Sequence, residues 1–144
     1  MMVQTLSLDE IAHVIALATA PAFLLGGIVA FLSLLTGRMA RIVDRVRALD
    51  DIDDQDQRRA HLKADMPRLR RRAKLIHFSM SLSILSAVVV ALLVVIAFLG
   101  ALLGFESEIL IATLFVLSLL AFVAALCLFV HEAILALGEF EYYL

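Results

Sequence analysis

The residues of this chain best suited to charge or proton chemistry are His77, His131, Glu132, Glu106 and Glu108. His77 opens one long apolar stretch, and the His131-Glu132 pair closes another. Imidazole changes charge near neutral pH, and an acid beside an apolar stretch is costly unless partnered. If these groups meet, they would form a proton relay, a metal site or a titratable gate. Their spacing argues against a metal, because His131-Glu132 is a bare dipeptide with no second His four residues away. A haem would need two facing axial ligands, which spacing does not supply, so no metal or cofactor is expected. Glu106 and Glu108 sit in a short link between two apolar stretches. In an oligomer they would form an acidic ring that concentrates cations; in a monomer they would be a solvated turn. The chain has no G-x-S-x-G, H-E-x-x-H, C-x-x-C or phosphate-cradling glycine loop, so an enzyme is not expected.

The elements that must position these groups follow from composition. The 144 residues are 63% apolar and 18% charged, with mean hydropathy +1.02. Soluble domains run at about 45–50% apolar and about 25% charged. The excess excludes an ordinary cytosolic globule and a disordered tail, and a lone Cys127 excludes an intramolecular disulfide scaffold. At this length one domain, 1–144, is expected. Three stretches, about 11–35, 75–103 and 109–131, lack Asp, Glu, Lys and Arg. A spanning helix needs about 20 apolar residues, and lipid forces the backbone to satisfy its own hydrogen bonds. The expected fold is therefore all-α, with three transmembrane helices. The first ten residues carry Asp9 and Glu10 but no Lys or Arg, which is unlike a cleavable signal.

Sidedness follows from the cations. All 12 Lys and Arg lie between Arg38 and Lys74, where 7 carboxylates leave a net charge of +5. Short loops rich in Lys and Arg stay in the cytoplasm. This predicts a multi-pass membrane protein. Its N-terminus and 104–108 turn would be outside, and its C-terminus and residues 37–74 inside.

Residues 37–74 do not read as a floppy loop. Met39, Ile42, Val43, Val46 and Leu49 recur at helical spacing, so the first helix should run on to about Leu49. An acidic turn, Asp50–Asp56, then precedes a second helix, disturbed near Pro67, where Asp65 suits a restart. The expectation is a cytoplasmic helical hairpin extending the first two spans. Arg70, Arg71, Arg72 and Lys74 directly precede the second span, as a lipid-facing basic cluster. Each is worth about 1 kcal/mol against an anionic leaflet. They serve either as a topology anchor or as a lipid head-group site. Interleaved carboxylates and the lack of aromatic residues argue against nucleic acid. In the tail, Glu132 and Glu139 share a helix face and could reach Arg38, Arg41 or Arg45, as a clamp between tail and hairpin.

Within the spans, small residues recur at every fourth position: Ala18, Ala22, Gly26 and Ala30 in the first, Ser79, Ser83, Ala87 and Ala91 in the second. Helices in lipid associate by close packing, which such rows allow. They predict contact between the first two helices or between copies, and a thin three-helix bundle favours a homo-oligomer. Pro21 removes a backbone donor from the first span and predicts a kink or hinge there.

Pro21–Leu25 followed by Arg38, Arg41, Ile42, Asp44, Arg45 and Arg47 resembles a bacterial family of small membrane proteins known as domain of unknown function 2721. The resemblance implies the three-span topology and a place in the bacterial inner (plasma) membrane, and brings no activity with it. Within the signature, Arg38, Arg41 and Arg45 share a helix face. Asp44 can pair locally with Arg41 or Arg45, or bridge to Arg70, Arg71 or Arg72 and fix the hairpin register. Two functions are consistent with these residues. One is a homo-oligomeric cation-conducting pore. The other is a membrane scaffold or accessory subunit whose basic hairpin binds a protein partner or anionic lipid.

Overall fold

A computed structural model describes residues 8–52, 60–104 and 108–138. The described chain is helical: α1 (Leu8–Asp50), a short 3-10 segment (Ala60–Asp65), α2 (Met66–Leu103) and α3 (Glu108–Gly138). Helix α1 continues unbroken through Pro21, whose side chain is buried. It also continues past the uncharged stretch to Asp50, as the apolar spacing of residues 39–49 predicts. Helix α2 starts at Met66, directly after Asp65 and with Pro67 in its first turn. There a proline is tolerated because its missing N–H would have had no partner in the helix. At its far end α2 stops at Gly104, whose φ of +73° is a left-handed conformation that glycine adopts without a Cβ penalty.

All three helices are long and apolar enough to cross a membrane. Of the most apolar 18-residue window of each, only 18%, 22% and 11% is buried within the chain. Phe23, Phe78, Leu120 and Val123 face outward with many other large apolar side chains. Water would penalise such a surface heavily, and lipid does not. Hydroxyls on the exposed faces bond within their own helix: Thr19, Thr36, Ser81 and Thr113 donate to carbonyls four residues back, at 2.7–3.0 Å. That is how a hydroxyl is satisfied where no water is at hand. The protein is a multi-pass membrane protein.

Residue contacts group the chain into two compact units, one containing the chain up to Ala30 with Ser83–Val123, the other Phe31–Leu82 with Ala124 onward. What is buried in each falls on a seven-residue repeat. In α1 the buried positions include Pro21, Ile28, Leu35, Ile42 and Leu49. In α2 they form two series, Leu69, Ile76, Ser83, Val90 and Ser79, Ser86, Leu93, Gly100. In α3 they are Ser118, Ala125 and Glu132. A heptad spacing keeps one narrow stripe facing a neighbour along a supercoiled helix.

Small residues let α2 and α3 come close. In the first unit Ser86 donates to the Ser118 carbonyl at 2.7 Å. In the second, Ser79 donates to the Ala125 carbonyl at 2.7 Å. Both are buried, and among the described residues no buried side-chain polar atom lacks a partner. In lipid, where apolar burial drives nothing, such contacts and close packing hold helices together.

The four-residue rows meet this seam only in part. Ser79 and Ser83 are buried, whereas Ala87 is half-buried and Ala91 exposed. In the first span Ala18 is half-buried, but Ala22, Gly26 and Ala30 are exposed, with open space where a Cβ on Gly26 would stand. The reason is geometric. Steps of four advance about 40° around a helix each time, while alternating steps of three and four hold nearly still.

Candidate functional site

Among the described residues the second unit contains a concentrated polar site, built from all three helices. Glu132 of α3 is fully buried. Its Oε2 accepts a hydrogen bond from Arg38 Nη1 of α1 at 2.6 Å. Its Oε1 accepts from Arg72 of α2 through Nε and faces Nη2, both at 3.0 Å. Each carboxylate oxygen thus serves a different arginine and a different helix. Arg72 is the more enclosed of the two, with 18% of its side chain exposed against 34% for Arg38.

The repeat places all three residues. Arg72 lies seven before Ser79, and Glu132 lies seven after Ala125, so each continues a buried series of its helix. Arg38 lies seven after Phe31, another buried position. It is also held from the side: its guanidinium carbon sits 5.0 Å from the centre of the Phe129 ring. Phe129 in turn meets Phe31 edge-to-face at 5.4 Å and 88°. A planar guanidinium can stack on an aromatic face while its N–H groups point at a carboxylate, which an ammonium does poorly.

The site carries two positive charges and one negative, so it retains a net cationic charge. Its chemistry is that of a clamp. Both oxygens of the carboxylate are committed to arginines. Its charge is stabilised by the two cations that flank it.

None of the other described sequence candidates joins this clamp. His77 and His131 are exposed on α2 and α3; His77 packs its ring 6.2 Å from that of Phe78. Glu132, grouped with them as a gate residue, is instead engaged by the two arginines. Among the described residues no group of acidic, His or Cys side chains could hold a metal ion. Glu108 is exposed in the first turn of α3, where its charge suits the positive helix end. Glu106, the acidic turn from Asp53 to Asp56, and the tail carboxylates Glu139 and Glu141 lie outside the described residues.

Two expectations need correction. Asp44 is exposed and forms no ion pair among the described residues. The bridge from α1 to the returning helix does not involve it; Glu132 of α3 makes that connection instead. Asp44 lies six beyond Arg38, which turns it away from the heptad stripe. Arg72 also departs from its basic neighbours. It turns inward to Glu132, whereas Arg70, Arg71 and Lys74 are exposed, as are Arg41, Arg45 and Arg47 on α1. Glu132 of α3 pairs with Arg38 of α1, one of the arginines that its helix face pointed to, and with Arg72 as a second partner that the sequence did not suggest. The signal that could have found it was the alternation of three and four along each helix, which puts Arg38, Arg72 and Glu132 in the same stripes as the buried residues.

Comparison with known proteins adds a family and nothing more specific. Residues 18–141 match the family model described as "Protein of unknown function (DUF2721)". No curated protein and no solved structure matches the chain.

Proposed function

The chain belongs to the DUF2721 family of proteins of unknown function, and we propose that it acts as a membrane scaffold or accessory subunit whose basic surface engages anionic lipid. The observation that carries this reading is the division of labour among the arginines. Arg38 and Arg72 close the helix seam through Glu132, while Arg70, Arg71 and Lys74 stay outside it. The inward polar groups of the second unit are engaged with one another, which suits a structural body. The outward ones are cations at the start of a membrane-spanning stretch, where an anionic leaflet attracts them. The pore reading has less support, because the carboxylate assigned to its gate is neutralised by two arginines.

In this reading residues 36–74 face the cytoplasm, following the placement of all 12 Lys and Arg. The exposed row Ala22, Gly26 and Ala30 supports self-association, since small residues permit close approach of a second α1 in lipid. A Gln55→Cys variant in a Cys127→Ser background tests the sidedness. Impermeant maleimide should leave intact cells unlabelled and label them after permeabilisation. Labelling of intact cells would invert the topology.

Reconstitution tests the function itself. In proteoliposomes no cation flux is expected across a range of voltage and pH. Resistance to unfolding should rise with the fraction of anionic lipid and fall with salt, and the particles should weigh more than one copy. Sustained cation flux would replace this reading with the pore.

A further inference from the structure

At the start of α2 the chain forms an open cleft of about 460 Å³ lined by Lys63, Met66, Pro67, Arg70, Arg71 and Lys74. The geometry points to a binding site for a phospholipid head group that carries two negative charges on phosphate, a more specific ligand than an anionic leaflet in general. This inference rests on the lipid-engaging reading above and names the place and the ligand class.

The spacing explains the cleft. Residues 66, 67, 70, 71 and 74 fall on one face of α2, so Arg70, Arg71 and Lys74 line the same concavity, and Lys63 of the preceding 3-10 segment completes its wall. Among the described residues no carboxylate lines the cleft, although seven carboxylates are distributed between Arg38 and Lys74. Arg70, Arg71 and Lys74 form no ion pair among the described residues, whereas the adjacent Arg72 is turned away and satisfied by Glu132. The clamp therefore orients this helix face: with Arg72 fixed to the seam, its neighbours on either side must point outward. Guanidinium forks bind phosphate oxygens bidentately, and a lysine adds a point charge. Several cations in one concavity favour a ligand with several charges over a single phosphodiester.

Two features favour a lipid as the source of that phosphate. The cleft directly precedes the uncharged stretch that begins at Leu75, which places it at head-group depth. Met66 and Pro67 supply an apolar wall against which a glycerol backbone can lie.

The experiment uses the full chain in phosphatidylcholine nanodiscs, with bound lipid counted by native mass spectrometry. Diphosphatidylglycerol and phosphatidylglycerol are compared at equal total lipid charge. The variants are a cleft triple, Arg70→Gln, Arg71→Gln and Lys74→Gln, and a control triple on α1, Arg41→Gln, Arg45→Gln and Arg47→Gln. Both remove the same charge from exposed positions. The wild type should retain diphosphatidylglycerol in preference to phosphatidylglycerol. The cleft triple should lower that retention by about tenfold or more, and the control triple much less. Equal losses in both triples would overturn the cleft while leaving general attraction to anionic lipid in place. No dependence on anionic lipid in any variant would overturn both. Displacement of the lipid by inorganic phosphate would overturn the lipid assignment in favour of a soluble phosphate.

Discussion

Replacing Glu132 with alanine should destabilise the protein by about 3–5 kcal/mol, because removal of one partner leaves buried charge without compensation. The two guanidiniums left behind are partly exposed, 34% at Arg38 and 18% at Arg72, so they can turn toward water or head groups and place the loss near the lower end of that range. Removing both arginines should cost more. A fully buried carboxylate would then face the apolar seam alone. Either arginine alone, replaced by Met, leaves one cation on Glu132 and should cost less than the pair. The informative variant is the triple Arg38→Met, Arg72→Met and Glu132→Leu. With every charge gone, the desolvation cost is gone too, and stability should return to near or above the wild type. Equilibrium unfolding in mixed micelles measures all of these. A loss below about 1 kcal/mol for Glu132→Ala would show that the ion cluster is incidental to the fold.

The second large effect is expected at Ser79. Its hydroxyl reaches the Ala125 carbonyl at 2.7 Å in a buried contact, so α2 and α3 approach closely there. A leucine at this position has no space to occupy and also removes the hydrogen bond. Overpacking of this kind costs about 1–3 kcal/mol and occasionally more. Ser79→Ala isolates the hydrogen bond, for which about 0.6 kcal/mol is typical between membrane helices. Ser81→Leu supplies the comparison. Ser81 is exposed and bonds back to His77 within its own helix. The same substitution two residues away should therefore be close to neutral. Equal losses at Ser79 and Ser81 would contradict close packing at the seam.

Much of the local structure was legible in the residues. The continuation of α1 to Asp50, the restart of α2 at Met66 after Asp65, and the end of α2 at Gly104 each reflect a local preference that needs no distant partner. The site was legible only as scattered parts. Arg38 belonged to a basic signature, Arg72 to a basic cluster, and Glu132 to a pair with His131. They are 34 and 60 residues apart in sequence, and nothing local to any one of them identifies the other two. Asp44 shows the same limit from the other side. It has arginines nearby in sequence, yet it points outward and the bridge to α2 forms without it.

Taken alone, the sequence determined that the chain has three segments able to cross a membrane, with all its cations in one interval between the first and second. A bilayer acts on each segment separately, through its thickness and its refusal of unpaired backbone groups, so length and composition suffice. The tertiary structure decided which face of each helix turns inward. It thereby chose Ser79 over Ala91 as a packing residue and Glu132 over Asp44 as the partner of the arginines. Lipid does not distinguish one apolar face from another. That choice is made only where small residues let helices touch and where opposite charges on three helices reach the same depth.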